Sequence, residues 1–286
     1  MDRTAIGWIN GFLGVVIFSG SLPATRAAVL DFDPLFLTVA RATIAALLAG
    51  ALLVLFRQQR PEKSDIVPLI VTAFGVVVGF PLLTALALQH VTAAHSIVFI
   101  GLLPLATSIF AVIRGGERPK PAFWLFSILG SALVVGFALA QGIAAAPIGD
   151  MLMLAAIIVC GLGYAEGARL SRKLGGWQVI SWALVIALPV MGALLLAFWP
   201  QSWSGIGMPA WLGLVYVSVF SMLVGFIFWY RGLALGGIAA VGQLQLLQPF
   251  MGLVISAALL GEYVSPAMIA VTIGIVACVA GAKRFA

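Results

Sequence analysis

The chain has 286 residues, 63% hydrophobic and only 8% charged, whereas a soluble domain carries roughly 25% charged residues. Too few charges exist to coat a water-facing surface, so a soluble globular fold is excluded and lipid is the solvent for most of the chain. The net charge of +6 comes from short basic clusters between apolar stretches, a pattern that belongs to membrane topology and not to a nucleic-acid-binding face.

Ten apolar runs reach spanning length, at about 6–26, 34–56, 66–88, 93–113, 121–140, 149–169, 177–199, 209–231, 238–260 and 266–283. They are continuously apolar, without the period-two alternation of a barrel strand, which predicts helices. The first run follows a single positive charge, Arg3. It is long for a signal peptide and begins a repeating set, so it is read as a retained span.

Basic residues accumulate on one side. Arg3, then Arg57, Arg60 and Lys63, then Arg114, Arg118 and Lys120, then Arg169, Arg172 and Lys173, then Arg231, and finally Lys283 and Arg284 share it. The other side holds Arg26 alone. Both termini are therefore expected in the cytoplasm.

Within the first run, Ser19, Gly20 and Ser21 interrupt the apolar pattern near its middle. Small residues there admit close backbone approach or leave room for a solute, and Ser19 is a candidate solute contact. Arg41, about two turns into the second run, is expected to snorkel outward or to pair with Asp31 or Asp33. Pro23 and Pro81 lie deep in the first and third runs, where they bend helices around an interior. The pairs Gly7/Gly11 and Gly75/Gly79 have the small-xxx-small spacing of helix packing. Phe80 and Phe99, together with Tyr164, Trp182 and Trp229, are placed to face an interior cavity. Trp8, Trp124, Trp177, Trp199, Trp203 and Trp211 fall near predicted interfaces and read as belt residues.

His95 sits just inside the outer end of the fourth run. Two readings stand for it: a solute or proton contact near neutral pH, or a hydrated interfacial residue. In the sixth run Glu166 is the one carboxylate well inside an apolar stretch, with Arg169 three residues on. It is a possible coupling residue; the simpler reading is a local ion pair on one helix face. Gly161, Gly163 and Gly167 imitate a dinucleotide-binding fingerprint, but no strand precedes them. In the ninth run Gln243, Gln245 and Gln248 form the densest polar group of any span. Their amides suit the carboxylate and ammonium of a zwitterion without adding net charge; the alternative is interhelical hydrogen bonding. Cys160 and Cys278 lie inside apolar runs, which excludes a disulfide framework or zinc site.

Pro104 and Glu117 recur as Pro249 and Glu262, both 145 residues on; Gly116, Pro121, Ala122 and Gly136 recur as Gly261, Pro266, Ala267 and Gly281. The chain thus reads as two copies of one unit, residues 1–145 and 146–286. Five spans per copy is an odd number, so the second copy enters the membrane from the opposite side. Glu117 stands among Arg114, Arg118 and Lys120, whereas Glu262 has no basic neighbour, as inversion requires. Each repeated proline leaves the carbonyl four residues earlier, of Ile100 or Gln245, without its helical partner. Pro104 and Pro249 are therefore candidate hinges, or else packing kinks.

The stretch LLPLATSIFAVIRGGERPKPA in the first half and LLQPFMGLVISAALLGEYVSPA in the second resembles the drug/metabolite transporter superfamily in its ten-span EamA type. The bacterial aromatic amino acid exporter group is the narrower likeness. The resemblance implies solute export from the cytoplasm by alternating access.

The expectation is an all-α membrane protein of ten transmembrane helices in two inverted five-helix repeats, in the bacterial inner membrane. It would export small zwitterions such as amino acids, without cofactor, metal or nucleic acid, and a monomer suffices to enclose the cavity. The partners are amino-acid-like solutes and the lipid bilayer. The first span lacks the carboxylate of a proton-coupled exporter of cationic drugs, so facilitated movement is favoured over a proton-coupled antiporter. A membrane-embedded enzyme is the rival of another class; it needs paired carboxylates, metal-spaced histidines or an activated nucleophile at depth, and none is evident.

Overall fold

A computed structural model describes residues 2–91, 96, 99–140, 146–248, 250–252 and 266–286. His95, Pro249 and Glu262 lie outside these residues. Everything described is helical or a short connection, with no strand among the described residues. Six helical rods are long and apolar enough to cross a membrane: Arg3–Val29, Pro34–Leu55, Lys63–Ala87, Pro147–Leu174, Gly176–Ala197 and Met208–Gly236.

The helices in chain order are α1 (Arg3–Ser19), α2 (Ser21–Val29), α3 (Pro34–Leu55), α4 (Lys63–Thr72), α5 (Phe80–Ala87), α6 (Leu103–Gly115) and α7 (Pro121–Ala140). They continue with α8 (Pro147–Leu174), α9 (Gly176–Ala197), α10 (Met208–Val215), α11 (Gly225–Gly236), α12 (Ile238–Gly242) and α13 (Pro266–Phe285). Prolines start helices more than they bend them. Pro34, Pro121, Pro147 and Pro266 each open one, where a missing N–H costs nothing. Asp33 caps α3 by accepting from the N–H groups of Leu35 and Phe36 at 2.8 and 3.0 Å.

Two rods contain π-helical segments, Ala73–Gly79 between α4 and α5, and Tyr216–Val224 between α10 and α11. Shifted by 145 residues, the first segment falls inside the second. The packing follows the same two-fold relation. α1 packs along α11, while the Lys63–Ala87 rod packs along α8; α3 packs on α9, and α7 on α13. Under the shift, the first two contacts exchange and the last two map onto themselves.

The glycines explain how closely the rods approach. A Cβ on Gly232 would stand 2.5 Å from the backbone N of Gly11, and one on Gly75 would stand 2.7 Å from the Cα of Gly163. The small-residue spacings of α1 and of the third rod are thus packing seams, as is the glycine run of α8. The outward faces are apolar: Val54 is 79% exposed, Leu196 77% and Met151 74%. In water such a surface would aggregate; in lipid it is solvated.

The first rod is broken at Gly20, which ends α1 and starts α2. The fourth run departs from the expected bend. A turn at Gly101–Leu102 precedes α6, and Pro104 sits in the first turn of that helix. It opens a new helix and does not kink a continuous one. In the ninth run Gln243–Leu247 is a 3₁₀ helix, and the carbonyl of Gln245 accepts from the N–H of Gln248. The carbonyl expected to be orphaned by Pro249 is satisfied one residue earlier, by tightening the turn.

Candidate functional site

A narrow cleft opens among α2, α3, α5, α8, the second π segment and Gln248. Its walls are mostly apolar and aromatic, with Phe18, Phe80, Tyr164 and Phe226 among them. Phe226 meets Phe18 and Tyr164 edge-on, at centroid distances of 5.0 and 5.9 Å. Thr25, Arg41 and Thr84 line it within two turns of the end that carries Asp31 and Gly207.

The polar side is built around Arg41. Its side chain is 8% exposed and turns into the cleft. Residues 36–43 of α3 are all buried, so no path to the surface is open for snorkelling. The two expected carboxylate partners are engaged elsewhere. Asp33 caps α3, and Asp31 accepts from the Gly207 N–H at 2.9 Å. Among the described residues Arg41 forms no ion pair; it donates to the Ser221 hydroxyl at 3.3 Å, and its Nε–H has no partner. Ser221 stands on the second π segment, whose extra residue per turn resets the direction of side chains. It also accepts from Ser21 at 2.8 Å.

Below Tyr164 the cleft is closed. Tyr230 donates to the Gly163 carbonyl at 3.1 Å, and Gln243 donates to Ser108 at 3.1 Å, joining the ninth run to α6. Beneath these lies a charged layer. Glu166 is fully buried and accepts from Arg114 of α6 at 2.9 Å and from Arg169 of its own helix. Glu117 accepts from Arg172 and from the N–H groups of Ile238 and Ala239, each at 2.8 Å. Those two N–H groups are orphan donors at the start of α12, exposed by the turn at Gly237, so Glu117 both caps that helix and ties it to α8. Lys173 reaches Glu62 and Asp65 at 2.8 and 2.9 Å, and its hydrogen bond holds the Glu62 carboxyl below the usual range.

The structure sorts the residues named from sequence. Phe80, Tyr164 and Gln248 stand on the wall of the cleft, with the Gln248 amide donating to the Phe18 carbonyl at 3.4 Å. Ser19 does not reach it. Its hydroxyl is bonded to the Val15 carbonyl at 2.7 Å, and Ser21 takes the place on the wall. Gln243 bonds Ser108 instead. Gln245 is buried near Tyr164, yet neither its amide N nor O makes a hydrogen bond of good geometry. Phe99, Trp182 and Trp229 pack into the core and do not line the cleft. The expected Glu166–Arg169 pair is present, with Arg114 as a partner that local spacing does not reveal. Ser221, Thr25 and Thr84 are not singled out by the sequence, which names Arg41 and Ser21 without assigning either to the cleft wall. The signal for Arg41 was its depth alone, since an arginine inside a span marks function by default.

Comparison with known proteins agrees with this architecture. A Bacillus subtilis (strain 168) protein described as the uncharacterized transporter YdeK is 69% identical over 286 residues, covering 100% of both chains. The uncharacterized transporter YvbV of the same organism is 24% identical over 281 residues, covering 94% of this chain and 88% of its own. A solved crystal structure at 22% identity covers 100% of both chains with a TM-score of 0.81, which establishes the shared fold. The EamA-like transporter family matches residues 5–139 and again 147–282. This all-helical, multi-pass membrane protein, built on two copies of one unit, therefore belongs to the EamA-like transporter family.

Proposed function

We propose that the protein exports small amino-acid-like solutes, aromatic ones included, from the bacterial cytoplasm by alternating access around the central cleft. The observation that carries this reading is the asymmetry of the cleft. It is walled by both halves of the chain, ends among the buried Thr25, Arg41 and Thr84 on one side, and is shut on the other by the Glu166 and Glu117 clusters. The helices are read as ten spans in two inverted units, 1–145 and 146–286, with both termini cytoplasmic. The shut end carries the basic loops, so it is proposed to face the cytoplasm.

Movement is facilitative. Among the described residues lining the cleft there is no carboxylate, and Glu166 is held by two arginines below it. The experiment is a proteoliposome assay with radiolabelled L-phenylalanine at equal concentration on both sides and an imposed proton gradient. No net accumulation is expected. Accumulation that disappears in Glu166→Gln contradicts the facilitative mechanism and assigns the coupling role to that carboxylate. The repeated prolines are proposed as the sites where the two gates turn, at the helix break before Pro104 and at its counterpart Pro249.

A further inference from the structure

Among the described residues, three hydrogen-bond donors converge on the cleft without an acceptor. The Nε–H of Arg41 has none. The Thr84 hydroxyl is buried, lines the cleft and has none; a helical threonine ordinarily bonds its own backbone. Ser221 uses both acceptor positions of its hydroxyl, on Arg41 and on Ser21, which leaves its own hydrogen to donate. A buried guanidinium with neither counter-charge nor full hydrogen bonding is costly to keep. Its retention at the wall of a cleft is explained by a ligand that supplies the missing charge.

We propose that Arg41, with Ser221 and Thr84, is the recognition site for the carboxylate of the carried solute, and that this carboxylate, not an ammonium group, is the required feature of the cargo. This rests on the export reading above and narrows it. A single cation matches a monoanion and not a polyphosphate. The aromatic wall of Phe18, Phe80, Tyr164 and Phe226 faces the rest of the molecule, which makes the preferred class carboxylates with an apolar or aromatic body. Among the described lining residues no carboxylate is placed to receive an ammonium group, so a free amine adds little, and cationic amines are excluded by Arg41 itself.

The test uses four probes that share one phenyl body: L-phenylalanine, 3-phenylpropionate, phenethylamine and 3-phenylpropan-1-ol. Binding is read from the thermal midpoint of the purified protein and from titration calorimetry. The two carboxylates should bind and the amine and alcohol should not. Arg41→Gln should weaken both carboxylates by about 30-fold or more, with Arg41→Lys intermediate. The ligand-free Arg41→Gln protein should melt no lower than wild type, because an unpaired buried charge has been removed. Thr84→Val keeps the guanidinium and provides a second measurement, a several-fold weakening confined to the carboxylates. Equal binding of the amine or alcohol, or unchanged carboxylate binding in Arg41→Gln, overturns the assignment. Flux of L-phenylalanine and phenethylamine without flux of 3-phenylpropionate in proteoliposomes refutes this inference alone. Flux of none of the four refutes the export reading beneath it.

Discussion

Gly232→Val should fail to assemble the α1–α11 pair. A side chain there begins 2.5 Å from the backbone N of Gly11 and 2.7 Å from its Cα, and backbone atoms cannot rotate away as a side chain can. The two helices have to separate along their length, and the seam carries further close contacts at Gly7 and Gly236. Lipid offers no hydrophobic driving force to hold parted helices, so the packing itself is what is lost. A cost of about 3 kcal/mol or more is expected, read as loss of monodisperse protein on size-exclusion chromatography and a lowered thermal midpoint. Gly136→Ala is the control, since a Cβ there meets nothing within 4 Å. A well-folded Gly232→Val protein would contradict the seam.

Removal of both arginines from Glu166 should be nearly as damaging, and removal of the glutamate should not. Glu166 is 0% exposed, while Arg114 and Arg169 are 46% and 44% exposed. Arg114→Met with Arg169→Met strands a buried carboxylate, which costs about 3–5 kcal/mol. Glu166→Gln leaves two half-exposed cations that rehydrate, which costs about 1 kcal/mol. The triple variant with Glu166→Gln should therefore be more stable than the double arginine variant it is built on. That non-additivity, measured as thermal midpoints, identifies the cluster as one unit. Additive effects would mean that the three side chains act separately.

Much of the architecture is legible in the sequence because it depends on length and composition. The apolar runs, the helix-starting prolines and the glycine turn at Gly116 are one-dimensional signals, and each leaves a mark in the order of residues. The Glu166–Arg169 pair is legible for the same reason, being three residues apart on one helix. Direction around a helix is harder to read. Arg41 was recognised by depth, but whether it turns to the surface or the interior depends on neighbours that bury residues 36–43. Arg114 joins Glu166 from another helix, across 52 residues. The π segments have no composition of their own, yet one of them sets Ser221 beside Arg41. Ser19 was favoured over Ser21 because only geometry shows that the Ser19 hydroxyl is already spent on its own helix. Pro104 reads as part of a continuous helix because an isolated glycine such as Gly101 is tolerated within an apolar helical run.

Passage of a carboxylate-bearing, amino-acid-like solute through the cleft, from one side of the membrane to the other, is open to a counterflow assay. Proteoliposomes loaded with unlabelled L-phenylalanine are diluted into buffer with a trace of labelled L-phenylalanine, without any ion gradient. A carrier that alternates around one site exchanges the internal pool for label, so the label should overshoot transiently, and the overshoot should vanish in Arg41→Gln. Absence of overshoot in folded wild-type protein, or an equal overshoot in Arg41→Gln, would contradict the account.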